Sequence, residues 1–149
     1  MSAYHYTECG LDNVFIEGMN SVNDHAGKET VTVSAVGLLH RVIAEGIVNL
    51  PSKMSGKELR FLRSEMGMTQ EKLAEVLKVT LLTISRWERE ESPIKDTAEM
   101  LIRLMAVERL KLDVELDVDA VSSKVTAAPR LAAIRIDGSK PKKYQLLAA

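Results

Sequence analysis

The feature that most constrains this chain is a series of three helix-start signals between residues 54 and 84. Ser55, Thr69 and Thr80 can each cap a helix N-terminus, and an apolar pair five residues apart flanks each of them. The pairs are Met54 with Leu59, Met68 with Leu73, and Val79 with Ile84. The series therefore predicts three short consecutive helices, with Gly67 ending the first.

A fourth helix is expected to begin near Asp96. Asp96 and Glu99 have the spacing of a capping box, which also stands at Ser55 and Glu58. An apolar stripe follows and is predicted to be the buried face of this helix. Its members are Met100, Leu101, Leu104 and Met105.

The first fifty residues predict two short strands and a helix. The strands are residues 13–18 and 29–33, and the residues between them, 18–28, are expected to form a loop. Ser34 is expected to cap a helix that runs to Val48. Its apolar residues recur every four positions, at Leu39, Ile43 and Ile47.

Residues 112–119 alternate apolar and acidic side chains, which predicts a half-buried strand with a carboxylate face. A helix continuing from Arg109 is the alternative, because Leu112 and Leu116 are four residues apart. The acidic face is interpreted as solvated, in preference to a cation site. Residues 130–136 and 143–148 then predict a hairpin around Asp137 and Gly138.

Composition excludes several classes of protein. In 149 residues no apolar run approaches the roughly 18 needed to span a membrane, and the N-terminus lacks the pattern of a secretory signal, so a cytoplasmic protein is expected. The single cysteine, Cys9, allows no intrachain disulfide or cysteine-cluster zinc site. No metal site is predicted from His5, Cys9, His25 and His40, since their spacing is not that of a structural zinc site.

No enzyme is predicted either, because the sequence shows no nucleophile–base–orienter order, no glycine-rich phosphate loop and no cluster of carboxylates with histidine. The net charge of −1 is distributed unevenly: residues 1–50 carry −4, residues 51–111 carry +2 and residues 112–149 carry +1. The middle segment is therefore the least acidic large block. This gives weak support for an anionic partner.

The segment RFLRSEMGMTQEKLAEVLKVTLLTISRWERE, with its TQ, LA and TISRWE groups, resembles the XRE family of Cro and lambda-repressor-like helix-turn-helix proteins. The resemblance covers about residues 55–105. It departs from the family at Lys78, where glycine usually ends the first helix of the motif. A left-handed lysine at that position would cost about 1 kcal/mol.

The resemblance implies a mainly α fold with small β parts. A lambda-repressor-like bundle over residues 51–111 would be flanked by an N-terminal β-hairpin plus helix, residues 1–50. The third segment, residues 112–149, would be a β-rich tail for dimerisation or partner binding. MqsA-type antitoxins join a zinc ribbon with paired CxxC motifs to such a bundle, but this chain contains no CxxC.

The resemblance also implies that the second helix of the motif enters the major groove of double-stranded DNA. The base-reading residues would be Leu81, Leu82, Thr83 and Arg86. Phosphate contacts would come from Thr69, Gln70, Ser85, Arg89 and Lys95. A salt bridge between Arg63 and Glu88 would be structural.

The adjacent Leu81 and Leu82 can be interpreted in two ways. They can cover thymine methyl groups in the groove, or they can pack against another protein segment. Trp87 is interpreted as a core residue, although aromatic side chains can also stack on bases.

Two functions follow from the resemblance. The first is a homodimeric, sequence-specific transcriptional repressor without a cofactor, with the flanking β segments as dimer contacts. The second is an antitoxin that binds a toxin protein and regulates its own operon.

Overall fold

The computed structural model describes residues 3–19, 21–23, 29–31, 33–126, 133–140 and 143–147. The chain divides into two compact units. We call residues 1–43 with 132–149 the sheet unit, and residues 44–131 the helical unit. The described part confirms the mainly α fold with small β parts.

The sheet unit contains a four-stranded sheet built from strands near both ends of the sequence. Its strands are β1 (Tyr4–His5), β2 (Val14–Glu17), β5 (Ile134–Asp137) and β6 (Gln145–Leu146), in the order β1-β2-β5-β6. The central pair, β2 and β5, is parallel, with Val14 opposite Ile134 and Ile16 opposite Ile136. These four side chains are buried, which gives the sheet one apolar face.

A second, two-stranded sheet consists of β3 (Ser21–Asn23) and β4 (Glu29–Val31). The expectation of a loop over residues 18–28 is therefore wrong at β3, while residues 24–28 and His25 with them lie outside the described residues. The strands expected at 13–18 and 29–33 are present as β2 and β4, but they do not pair with each other. β2 pairs with β1 and β5, and β4 pairs with β3.

Helix α1 (Val36–Val48) carries the predicted buried stripe, since Leu39, Ile43 and Ile47 are all fully buried. Its start differs slightly from the prediction. The residue before it is Ala35, with φ of 50°, so the helix does not begin directly after Ser34. The backbone oxygen of Ser34 accepts a hydrogen bond from the Tyr144 hydroxyl at 2.5 Å.

The helical unit contains α2 (Gly56–Glu65), α3 (Gln70–Leu77), α4 (Leu81–Glu88), α5 (Asp96–Arg109) and α6 (Val118–Lys124). The three predicted caps are confirmed: the side chains of Ser55, Thr69 and Thr80 each accept a hydrogen bond from the backbone N–H three residues later. Ser55 and Glu58 form the complete capping box. Gly67, with φ of 69°, follows the end of α2.

The predicted capping box at the start of α5 is wrong. Lys95 holds the cap position without a side-chain cap, and Asp96 pairs with the ammonium of Lys53 at 2.5 Å. The Glu99 carboxylate is fully buried, accepts from the backbone N–H of Met54 at 3.0 Å, and pairs with Arg103 at 2.7 Å. Tertiary contacts therefore replace the local cap.

The buried face of α5 also differs from the predicted stripe. The helix buries Ala98, Glu99, Ile102, Arg103 and Ala106. Leu101 is 51% exposed, and Met100, Leu104 and Met105 are half-buried. This other face of α5 is buried because the fully buried Arg103 donates to the backbone oxygens of Val48, Leu50 and Ser52.

The strand predicted over residues 112–119 is wrong, and so is the alternative of a helix continuing from Arg109. Helix α5 ends at Arg109, and Lys111 has a φ of 51°. Asp117 then caps α6 by accepting from the N–H of Ala120 at 2.7 Å, so one of the acidic residues starts a helix.

The hairpin near the C-terminus is confirmed in its pairing but not in its turn. Strands β5 and β6 pair antiparallel, with Asp137 opposite Gln145, so the connection is longer than a turn centred on Asp137 and Gly138. The N–H of Ser139 donates to the Asp137 carboxylate and lowers the pKa of that group. Residues 130–132 of the predicted first strand lie outside the described residues.

Candidate nucleic-acid interface

Helices α3 and α4 form a rigid pair because the contact between them is closely packed. Ala74 on α3 and Ile84 on α4 are both buried, so a small side chain on one helix lets the other approach. Leu77 and Trp87 are buried at the two ends of the contact. The prediction that Trp87 is a core residue is confirmed, since its side chain is only 5% exposed.

The turn between the two helices passes through Lys78 in the left-handed conformation, with φ of 60° and ψ of 40°. A non-glycine residue there costs about 1 kcal/mol. The turn is closed in spite of this cost: the N–H of Val79 donates to the backbone oxygen of Ala74 at 3.0 Å. The directions of α3 and α4 are therefore fixed relative to each other.

The C-terminal end of α4 lies against the first residue of α2. A Cβ atom placed on Gly56 would come within 2.3 Å of the Trp87 backbone oxygen and 2.7 Å of the Glu88 backbone oxygen. Only glycine allows this approach without moving backbone. Helix α4 is thus supported at its N-terminus by the Thr80 cap and at its C-terminus by α2.

One face of α4 and its C-terminal cap is largely exposed, and we call it the α4 face: Leu81, Leu82, the half-buried Ser85, Arg86 and Arg89. Leu81 is 44% exposed and Leu82 is 51% exposed, so neither leucine is buried in the core. Positions four apart lie on the same side of a helix, which places Arg86 beside Leu82. The opposite side carries the buried Ile84 and Trp87.

The two arginines of the α4 face differ in their partners. Arg89 pairs with the Glu91 carboxylate at 3.0 Å, and its Nε donates to the backbone oxygen of Ser85 at 3.3 Å. The side chain of Arg86 is exposed and makes no hydrogen bond or ion pair with another described residue. Its five N–H donors are therefore available to a ligand.

Thr83 is half-buried, and its hydroxyl lies 2.8 Å from the Thr80 hydroxyl. Thr80 already accepts from the Thr83 N–H at 3.1 Å, so the two threonines form a local pair at the start of α4. Either hydroxyl can be the donor within this pair. The second threonine, Thr80, was not among the residues predicted for the site, although its spacing of three from Thr83 was visible.

A largely shielded ion pair joins α2 to the end of α4. The guanidinium of Arg63 donates to both carboxylate oxygens of Glu88, from Nε at 2.6 Å and from Nη2 at 3.0 Å. Its Nη1 donates to the backbone oxygen of Met68 at 2.9 Å, just before α3. Gln70, the first residue of α3, also donates to Glu88 through Nε2 at 3.1 Å.

The other residues predicted to contact phosphate occupy separate elements. Thr69 is exposed, and its hydroxyl oxygen accepts from the Lys72 N–H at 3.1 Å, which leaves its proton free to donate. Ser85 is half-buried on the α4 face. Lys95 is exposed and immediately precedes α5. Sequence reasoning missed Glu91, which was visible two residues after Arg89.

The described residues contain no group of three or more His, Cys, Asp or Glu side chains arranged to hold a metal ion. His5 bonds the backbone oxygen of Asp12 at 2.7 Å, and His40 bonds the Tyr6 hydroxyl at 2.9 Å. Among the helices that the structure describes, none has both the length and the apolar character that crossing a membrane requires.

Comparison with known proteins gives one match, to a protein family described as helix-turn-helix, over residues 59–111. No curated protein and no solved structure matches the chain. The matched residues include most of α2 and all of α3, α4 and α5, so they contain the α4 face and the ion pair of Arg63 with Glu88. The match supports a DNA-binding helix-turn-helix domain of the XRE type over residues 59–111.

Proposed function

We propose that the protein is a sequence-specific transcriptional repressor that inserts α4 into the major groove of double-stranded DNA. The observation that carries the proposal is the guanidinium of Arg86, which no described residue pairs with, beside two exposed leucines on a capped, supported helix. A cation without a partner and apolar side chains without a cover, in the part of the chain that the structure describes, both favour a ligand at this face.

Each residue assigned to base reading has a chemical counterpart in the groove. Arg86 is assigned to the O6 and N7 acceptors of a guanine, the commonest specific arginine contact. Leu81 and Leu82 are assigned to thymine methyl groups, because they carry no donor or acceptor. Thr83 shares one hydrogen bond with Thr80 and retains capacity for a base edge or a phosphate.

The phosphate contacts are assigned to Thr69, Gln70, Ser85, Arg89 and Lys95. The start of α3 adds the backbone N–H groups of its first turn, which favour an anion. Since Glu91 pairs with Arg89, part of the positive charge is already neutralised in the free protein. We therefore expect phosphate contacts to make affinity fall with salt, but less steeply than the number of cations would suggest.

A homodimer on a two-fold site supports this function energetically. One α4 face reads only a few base pairs, and two copies on half-sites about 34 Å apart combine their binding energies. In the four-stranded sheet, β2 and β5 each pair on both sides, so β1 and β6 are its edges among the described strands and are the ones assigned to pairing with a second copy.

The direct test is selection of bound sites from random duplex DNA by the purified protein. The proposal expects an enriched inverted repeat with half-sites one helical turn, or a multiple of it, apart. Enrichment of a single half-site would contradict the homodimer but would still support α4 as the helix that reads bases. No enrichment at all would refute sequence-specific binding.

Two variants separate the assigned roles on the selected site. Gln70→Ala should weaken binding to all sequences alike, because phosphates carry no sequence information. Replacing Leu81 and Leu82 with serine should reduce the preference for thymine over uracil at the contacted steps. If that preference is unchanged while the oligomer dissociates, the leucines belong to a protein interface.

The second candidate function, an antitoxin, is favoured by the sheet unit, which lies outside the matched residues 59–111. A partner-binding module joined to a DNA-binding one would let the protein neutralise a toxin and regulate its own operon. Formation of a stable complex with the product of a neighbouring small gene would support it. Full repression by the protein alone would favour the plain repressor.

A further inference from the structure

We propose that Glu88 is a positioning residue for DNA binding that acts through Gln70. The inference rests on the proposed function, because Gln70 is assigned to a phosphate there. Glu88 is the last residue of α4, and Gln70 is the first residue of α3. The hydrogen bond of 3.1 Å between them therefore links the reading helix directly to the phosphate-binding end of its neighbour.

The chemistry of this bond determines which way the Gln70 amide points. An ionised carboxylate only accepts hydrogen bonds, so the NH2 group of Gln70 must face Glu88. One of its two protons is then used, and the other is free to donate to a phosphate oxygen. An unanchored amide can rotate and present its carbonyl oxygen, which cannot bond a phosphate.

Arg63 makes the carboxylate compatible with a nearby phosphate. The Glu88 side chain is 5% exposed and that of Arg63 is 14% exposed, so the pair is largely shielded from water. The guanidinium neutralises the carboxylate, which would otherwise repel the backbone of DNA. Its third bond, to the backbone oxygen of Met68, fixes the segment from which α3 starts.

The position of Glu88 argues for a role beyond joining two helices. An anion at the C-terminus of a helix is disfavoured by the helix dipole. A strut between α2 and α4 would need only Arg63 and its acceptor, yet the same carboxylate oxygen that binds Arg63 Nη2 also receives Gln70 Nε2. One carboxylate on α4 is therefore bonded to side chains of both α2 and α3.

A double-mutant cycle on the selected duplex tests the inference. In the natural background, Gln70→Ala should weaken binding by about tenfold, as expected for a hydrogen bond to a charged group. In a Glu88→Gln background the loss should shrink to about threefold or less, because the amide is no longer held. An equal loss in both backgrounds would overturn the proposal, whatever the effect of Glu88→Gln alone.

The chain offers a matched control in a second arginine–glutamate pair. Glu99→Gln makes the same chemical change at a fully buried partner of Arg103, in the same unit, and the Glu99 carboxylate is bonded to Met54 and Arg103 and not to Gln70. There the Gln70→Ala loss should remain about tenfold. If Glu99→Gln reduces it as much as Glu88→Gln does, the coupling reflects general loosening and the proposal is wrong.

Nuclear magnetic resonance of the natural protein gives a second test, which can still be carried out if the Glu88→Gln variant does not fold. In the free protein, one of the two side-chain amide protons of Gln70 should exchange with water more slowly than those of the exposed Gln145, and one should shift when the duplex binds. Exchange as fast as that of Gln145 would overturn the proposal. Failure of the natural protein to bind any duplex would instead refute the proposed function.

Discussion

The helical unit and the sheet unit are each stabilised by a different kind of contact. In the helical unit, Ser55, Thr69 and Thr80 start α2, α3 and α4 with bonds that span only three residues. In the sheet unit, the central contact pairs β2 with β5, which come from the two ends of the sequence. The helical unit is therefore specified largely by local signals, and the sheet unit by distant pairing.

This difference bears on where the proposed DNA-reading surface can lie. A helix whose start is capped and whose end is supported keeps its exposed side chains in place without a partner. The sheet depends on contacts that form only after a long loop closes, which costs entropy. We therefore place recognition of DNA in the helical unit, and the following predictions test the contrast.

The largest expected effect is at Arg103, where the helical unit relies on a non-local contact. Arg103→Ala removes the ion-pair partner of the buried Glu99 carboxylate and the donor to three backbone oxygens, so stability should fall by about 3–5 kcal/mol. Urea denaturation measures this loss. Arg109→Ala, at the exposed end of the same helix, is the control. A loss below about 1 kcal/mol would mean that the pair is dispensable.

The sheet unit should respond next most strongly at Ile136, which is fully buried opposite Ile16. Ile136→Ala should cost about 2–5 kcal/mol through lost burial and a cavity. Residue-resolved amide exchange should show faster exchange in β2 and β5. Arg135→Ala, on the exposed face, should change little. Unchanged protection of β2 would contradict the central place of this pairing.

The sequence predicted the local contacts well and the distant ones poorly. The caps at Ser55, Thr69 and Thr80 need only neighbouring residues, so pattern and structure agree. Glu99 has the pattern of a capping residue, but Arg103 and the backbone of Met54 bind it more favourably than the start of its own helix would. No local pattern contains that competition.

The same limit applies to the candidate site. The motif places Arg86 on an exposed helix face, and the helical period alone could predict this. That Arg86 is unpaired while Arg89 binds Glu91 depends on how the chain continues beyond α4. The bond from Gln70 to Glu88 requires the crossing of two helices, so spacing could not predict it.

A smaller effect should separate a true cap from an apparent one. Ser55→Ala should cost about 1 kcal/mol, because the Glu58 N–H loses its acceptor. Asp96→Ala should cost less, since Asp96 makes only a partly exposed ion pair with Lys53. Thermal unfolding of both variants measures the difference. A greater loss of stability for Asp96→Ala than for Ser55→Ala would indicate that Asp96 caps α5, which contradicts the structure.

The smallest expected effect is a gain. Lys78→Gly should stabilise the helical unit by up to about 1 kcal/mol, because glycine accepts the left-handed conformation without strain. Lys72→Gly, inside α3, is the matched control and should destabilise by about 1 kcal/mol. Destabilisation by Lys78→Gly would show that the lysine side chain contributes more than its backbone costs.

The central claim, that the α4 face reads base pairs, is tested most directly at Arg86. Affinity is measured for the selected site and for all its single-base variants, with the natural protein, Arg86→Ala and the control Arg60→Ala, an exposed arginine of α2. Arg86→Ala should weaken binding by about tenfold or more and abolish discrimination at one base pair of each half-site. Arg60→Ala should leave the profile unchanged. A profile for Arg86→Ala that runs parallel to that of the natural protein at every position would contradict the claim.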